Sequence, residues 1–165
     1  MIPSNRTLIS IEEFQKYNNS NPHPITSVHG VIVDSYRKVG FNTYPVCVMT
    51  ITKKRGIDWI GGHVEDCDNS PFDTLIREAY EEAHLDITNG ELKWIIQIDN
   101  STDKDALNKD YPEIGYQLFY LVKPQQFSYL PAHNCQLADD VLGRTLVIQP
   151  ELKNLFNGPL IILIC

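Results

Sequence analysis

An α+β fold, with a mixed β-sheet flanked by helices, is the class that this sequence predicts. Three observations carry the expectation. Strand-like runs rich in β-branched or alternating apolar residues recur along most of the chain, at Val28–Ser35, Val46–Thr52, Leu92–Ile98, Tyr116–Val122 and Thr145–Ile148. One strong helix, Ser70–Leu85, interrupts them near the middle. No repeat, low-complexity tract or linker divides the 165 residues, which predicts one domain over 1–165.

Composition bounds the function classes. Hydrophobic residues at 42% and charged residues at 21% supply a core without disulfides or a structural metal. Lys and Arg number 14 against 21 Asp and Glu, a net charge of −7. Such a field repels phosphates, which argues against sequence-independent binding to nucleic acid or to an anionic membrane. A phosphate-bearing partner would need local cations. Cys47, Cys67, Cys135 and Cys165 are scattered, with no C-x-x-C pair. The segment Met1–Arg6 has no apolar signal region, and the longest apolar run, Leu160–Cys165, is far too short to span a bilayer. The expectation is a cytoplasmic protein with reduced thiols. The run Leu160–Cys165 reads as an internal strand or as part of a homodimer contact.

Each element has a local rationale. Ser10-Ile11-Glu12-Glu13 reads as a capping box, with Ile9 and Phe14 as its hydrophobic staple; a short helix follows and ends near Asn18–Pro22. Val28–Ser35 and Val46–Thr52 read as strands, and Ile57–Ile60 as a short one. Ser70 caps the central helix, Pro71 suits its first position, and Asp73 sits where a capping acid belongs. Asp99–Pro112 is polar and lacks periodicity, so it reads as a long loop of the kind that carries substrate contacts. Pro150–Phe156 reads as a closing helix.

The central helix carries the chemistry. At about 100° per residue, Phe72, Ile76, Ala79 and Ala83 share an arc of roughly 60° that should face the core. Glu78, Glu81 and Glu82 share an arc of about 100° on the opposite side, with Arg77 beside them. Three gathered carboxylates repel one another unless a cation offsets the charge. They offer the oxygen ligands that a hard ion such as Mg²⁺ requires. An isolated helix of this kind reads more simply as a solvated acidic face. Upstream, however, lies Ile60-Gly61-Gly62-His63-Val64-Glu65, where glycines allow backbone carbonyls to approach a ligand closely. Strand, glycine turn, acidic loop and carboxylate helix together read as a site.

The segment Gly62–Leu85 resembles the Nudix box, the signature of the Nudix hydrolases. The family pattern is a glycine, five residues, a glutamate, seven residues, then R-E-U-x-E-E-x-G-U with U apolar. Its second half reads here Arg77-Glu78-Ala79-Tyr80-Glu81-Glu82-Ala83-His84-Leu85. Asp139-Asp140, followed by Val147-Ile148-Gln149-Pro150-Glu151-Leu152, is similar to the late acid and strand–helix of many members. There are two departures. The first-half acid falls on Asp68 counting from Gly62 and on Asn69 counting back from Arg77, so the acid is Asp68 or is lost. His84 replaces the glycine after the helix, which requires a histidine to take a left-handed C-cap.

The resemblance implies an α/β/α sandwich with the mixed sheet between helices. It implies a Mg²⁺-dependent (or Mn²⁺-dependent) hydrolase that cleaves a pyrophosphate bond in a nucleoside diphosphate derivative, such as a nucleoside triphosphate or nucleotide sugar, by water attack on phosphorus. The alternative is a catalytically weak Nudix-fold nucleotide-binding or regulatory module. By the same resemblance Glu81 and Glu82 are metal ligands, joined by the carbonyl of Gly62 or Gly61. Glu78 is a further ligand or the general base, with Glu113, Asp139 and Asp140 as alternative bases. Arg77, off the acidic face, forms a structural ion pair, and Asp68 is its acid. His63 and Glu65 are candidate substrate contacts. Lys53–Arg55 reads as a solvated hairpin run, and Tyr111, Tyr116, Phe119 and Tyr120 as core residues or base-stacking ones. His23, His29 and His133 have no partners at ligand spacing and are assigned no role.

Overall fold

Alternating, β-branched segments form strands here because each buries one or both faces against a neighbouring layer. The computed structural model describes residues 5–20, 24–104, 111–131 and 137–148. Among them the order is β1 (Arg6–Ile9), α1 (Ile11–Ser20), β2 (Ile25–Val39), β3 (Asn42–Thr52), β4 (Gly56–Asp58), β5 (Ile60–His63), α2 (Pro71–Ala83), β6 (Leu85–Ile87), β7 (Glu91–Asp99), β8 (Ile114–Val122), β9 (Phe127–Tyr129) and β10 (Val141–Ile148). Eight of these strands join one sheet in the order β1-β7-β8-β2-β3-β10, with β4 on β3 and β5 on β2. The β2–β8 pair is parallel and the others antiparallel, so the sheet is mixed and the class is α+β. β6 and β9 form a separate two-stranded ribbon.

The elements begin where their local chemistry says. Ser10 Oγ accepts from Glu13 N–H at 3.0 Å, and Ile9 and Phe14 are both buried beside this cap. Ser70 Oγ accepts from Asp73 N–H at 3.2 Å, and Pro71 opens α2. Three short strands, β1, β6 and β9, are additions to the sequence reading, because each is held by its partner strand rather than by its own pattern. The run expected at Ile57–Ile60 divides into β4 and β5, which pair with different strands. The loop expected at Asp99–Pro112 is shortened at its start, since β7 runs through Asp99; 105–110 lies outside the described residues. So do the helix expected at Pro150–Phe156, the motif beyond Ile148, the run Leu160–Cys165, His23, His133, Cys135 and Cys165.

Two buried clusters flank the sheet. One takes Phe14 from α1, Leu75, Ala79 and Ala83 from α2, and Val28, Ile32, Ile60, Tyr116 and Leu118 from the sheet. The other, on the opposite face, takes Val31, Cys47, Met49, Trp59, Trp94 and Phe119. The core stripe of α2 is shifted from the expected arc: Leu75 is fully buried, whereas Phe72 and Ile76 are only partly so. Tyr80 faces solvent, and the carboxylate arc packs toward β5 instead of opposing the core. Arg144 of β10 secures the helix end. Its Nη1 donates to the Ala83 carbonyl at 2.6 Å, and its guanidinium lies 4.5 Å from the centre of the Tyr129 ring, whose hydroxyl donates to Asp34.

Leu75 is the apolar side chain through which α2 grips the sheet. Leu75→Ala should lower unfolding free energy by about 2–5 kcal/mol, with an unchanged denaturant slope. A loss well under about 1 kcal/mol would mean that the cluster refills the cavity.

Candidate active site

The site is built on the end of β5 and the adjoining turn of α2. β5 pairs with β2 so that Gly61 lies opposite His29 and Gly62 opposite Val28. Both glycines are required by crowding. Gly61 has φ +148°, and a Cβ there would stand 2.6 Å from His29 Cα. A Cβ on Gly62 would collide with the Glu78 carboxylate. The missing side chains let α2 carboxylates reach the strand backbone.

Glu82 uses that access. Only 6% exposed, it accepts from Gly61 N–H at 3.1 Å through Oε2. Burial pushes its proton affinity up to about 7, opposed by the Gly61 N–H and raised further by the charge of Glu78. Burial also raises Glu78, against the pull of Arg77. Glu81, on the same arc, is about half exposed. An antiparallel residue that turns its N–H away from the partner strand turns its carbonyl the same way. By that rule Gly61, rather than Gly62, offers its carbonyl to the open edge beside Glu82.

Arg77 organises the loop. Its Nε and Nη2 each donate to Asp68 at 3.1 Å, its Nη2 to the His63 carbonyl at 3.0 Å, and its Nη1 to Glu78 at 2.9 Å. Glu81 at 3.4 Å and Glu65 at 3.6 Å complete its ion pairs. The expectation that Arg77 stands apart from the acidic face is corrected: its long side chain reaches back across that face. The structure also decides between Asp68 and Asn69. The Asp68 side chain is 4% exposed and accepts from Thr74 Oγ1 and Glu65 N–H besides Arg77, while Asn69 is exposed. The Arg77 hydrogen bonds hold its carboxyl well below the usual carboxylate range. Asp68 N–H also donates to the Glu65 carbonyl at 3.0 Å, closing a turn in this loop. At the far end of α2, His84 takes the left-handed cap at φ 49°, ψ 50°, and its N–H returns to Ala79 and Tyr80 carbonyls.

The other named residues are distributed unevenly. Glu65, exposed, reaches the site through its ion pair with Arg77 and through the effect of its charge on Glu78. The His63 ring turns to the opposite face of β5, with Nδ1 3.1 Å from the Thr26 carbonyl. The segment before β10 docks on α2, Ala138 N–H donating to the Glu81 carbonyl at 3.0 Å. This brings the charge of Asp140 to bear on Glu82, whereas the exposed Glu113 meets Asn100 through its backbone carbonyl. Lys53, Lys54 and Arg55 are exposed on the β3–β4 hairpin turn, as expected, with Lys53 Nζ donating to the Asp139 carbonyl at 2.5 Å and Arg55 pairing with Asp58 at 2.8 Å. Tyr116 and Phe119 are core, and Tyr111 is 41% exposed. His29, assigned no role from the sequence, stands against the glycine strand. Its ring stacks on Phe119 and its buried Nδ1 faces Gly61; burial, with Arg55, His63 and Arg6 nearby, lowers its proton affinity to about 4, so it is neutral at physiological pH. No local signal marks it, because its neighbours arrive by strand pairing.

Glu82 makes metal-free stability depend on pH in a defined direction. Its folded value near 7 exceeds the ordinary 4.5, so its stabilising contribution is complete below about 4.5 and is lost as pH rises through 7. With chelator present, Glu82→Gln should therefore melt higher relative to the parent at pH 8 than at pH 5. A gap that does not change with pH would contradict the buried, uncompensated carboxylate.

No protein-family model matches the chain, and no curated protein matches it. Solved structures do resemble it. A Nudix hydrolase from Nitrosomonas europaea aligns with a TM-score of 0.57 at 16% identity, over 84% of each chain. The Bacillus subtilis pyrophosphohydrolase BsRppH aligns with a TM-score of 0.54 at 14% identity, over 86% of this chain and 70% of the other. The Nudix domain of Shewanella oneidensis NrtR, solved in complex with ADP ribose, aligns with a TM-score of 0.52 at 13% identity, over 88% of each. Over most of its length, therefore, this chain has the fold of the Nudix hydrolases.

Proposed function

We propose that the chain is a divalent-metal-dependent pyrophosphohydrolase, cleaving a nucleoside diphosphate derivative by water attack on phosphorus. The observation that carries this reading is the pair Glu78–Glu82, one partly buried and one buried carboxylate with raised proton affinities pressed against the glycine strand. Buried like charges are costly unless a cation joins them. A similarity of fold to a pyrophosphohydrolase and to a domain solved with ADP ribose supports the same chemistry.

The donor set suits Mg²⁺ or Mn²⁺. Among the described residues no three His, Cys, Asp or Glu side chains converge on one point. Mg²⁺ does not demand that they should: it keeps several waters and commonly uses one or two carboxylates plus substrate phosphate oxygens. Glu82 and Glu78 would hold it, with Glu81 and the Gly61 carbonyl as neighbouring donors. Once bound, the ion would neutralise the pyrophosphate and polarise the phosphorus–oxygen bonds. The chain's own part is positioning and proton handling. Arg77 engages one oxygen of Glu78, which leaves the other for a ligand or for the proton of the attacking water. Asp140, whose charge reaches Glu82, is the alternative base. Arg77 is itself held by Asp68 and the His63 carbonyl, so it acts as a positioning residue rather than a phosphate clamp. Among the described residues no helix is long and apolar enough to cross a membrane.

Phosphate or pyrophosphate release from nucleoside triphosphates, oxidised guanine nucleotides, ADP-ribose, nucleotide sugars and dinucleoside polyphosphates, with Mg²⁺, tests the proposal. Turnover of one class should fall by at least about 100-fold in Glu82→Gln, as expected for loss of a charge-stabilising group. Equal turnover in parent and variant would remove Glu82 from the site. Silence across the panel would favour a nucleotide-binding module. Millimolar Mg²⁺ should also raise the melting temperature of the parent through native-state binding, and Glu82→Gln should lose most of that shift.

A further inference from the structure

We propose that the arm formed by the outer ends of β2 and β3 is a self-association element. Two copies of this chain pair through it about a twofold axis, with Phe41 at each tip seated in a groove beside β10 of the other copy. The β2–β3 register runs from Val33 opposite Cys47, through Ser35 opposite Val46, to Val39 opposite Asn42. β8 accompanies β2 only as far as Ile32, and β10 accompanies β3 only from Val46 onward. Among the described residues, therefore, the outer arm is a two-stranded ribbon with no third strand, and Ser35–Thr43 is exposed throughout. Such a ribbon is at best marginally stable in water. Its turn is Gly40-Phe41, and only Gly40 takes a positive φ, +63°. That geometry asks for glycine first and accepts any residue second, so the turn does not account for a fully exposed phenyl ring.

The receiving groove, of about 600 Å³, lies at the root of the arm and is lined by Asp34, Val48, Tyr129, Arg144, Thr145 and Leu146. Its two charges are already engaged. Asp34 accepts from the Tyr129 hydroxyl, while Arg144 Nη1 donates to the Ala83 carbonyl and its guanidinium covers the Tyr129 ring. An apolar tip suits such a groove, and Leu146 stands half exposed in it. Phe41 precedes Val46 by five residues, about 17 Å at the rise of a strand, so the extended arm holds it away from its own groove. Two arms laid antiparallel bring each tip to the other's root. Knob and hole on one surface are what an isologous contact requires. Charge favours the same occupant. Ser35–Val46 carries Arg37 and Lys38 and no acid; removing these two from the whole-chain −7 leaves −9 on the rest of the chain. A second copy offers that acidic body as the complement, whereas a nucleic acid would be repelled by it. The two cations also disfavour edge-to-edge growth of the sheet. The exposed parts of Val39, Phe41, Tyr129 and Leu146 amount to on the order of 450 Å², near the apolar share of the roughly 800 Å² that each partner buries in a standard interface.

Sedimentation velocity of the full chain over a range of micromolar concentrations tests the pairing. The parent should sediment as a dimer, and its melting temperature should rise with protein concentration. Phe41→Asp should weaken association at least about 100-fold, tenfold for each of the two seated rings. Leu146→Lys should weaken it in the same direction. Mixed in equal amounts, these two variants should recover a dimer, because one half of the interface then sets a carboxylate against an ammonium while the other keeps its original contact. Recovery would also show that both variants fold. A parent that stays monomeric would overturn the proposal, as would a mixture that does. A dimer that survives both substitutions would overturn it too, and would leave the run Leu160–Cys165 as the contact to test. A larger species that forms only when single-stranded RNA is added would overturn it in favour of a nucleic-acid partner.

Discussion

One guanidinium joins the parts of this site. Arg77 bonds simultaneously to the loop acid Asp68, to the His63 carbonyl at the end of the glycine strand, and to Glu78 on its own helix. A two-point arginine–carboxylate contact fixes orientation as well as distance, which a lysine at this position would not. Because three segments meet on this one planar group, the strand end, the acidic loop and the carboxylate helix hold a common frame. Asp68 is saturated by Arg77, Thr74 and a backbone N–H, so it belongs to the scaffold.

The frame exists to sustain an unfavourable arrangement. Glu82 and Glu78 sit where burial opposes their charge, and a single backbone N–H and a shared arginine offset only part of that cost. Folding tolerates it because the same helix buries Leu75, Ala79 and Ala83 against the sheet beside them. Apolar packing on one arc thus supports chemical strain on the next. Two adjacent glycines are the other half of the arrangement, since a methyl group at either would meet backbone or carboxylate atoms.

Much of this was legible from residues close together in the chain. The capping of α2 by Ser70 and Pro71, the gathering of Glu78, Glu81 and Glu82 on one arc, and the left-handed cap at His84 all depend on neighbours a few positions away. Such interactions are read directly from spacing. The core arc of the helix was displaced by part of a turn because periodicity states which residues share a face, not which neighbour that face meets. The strands β1, β6 and β9 escaped notice because three or four residues have too little pattern of their own.

By itself, then, the sequence determined the fold class, the carboxylate helix and the glycine strand before it, because hydrophobic periodicity, capping and glycine permissiveness act over one or two turns of chain. Tertiary structure alone decided that Asp68, not Asn69, receives Arg77, that Arg77 crosses the acidic face, that His29 stands against Gly61, and that His63 turns toward Tyr111. Each of these is a contact between segments whose separation in sequence says nothing about their separation in space. Strand pairing and the reach of a long side chain settle them.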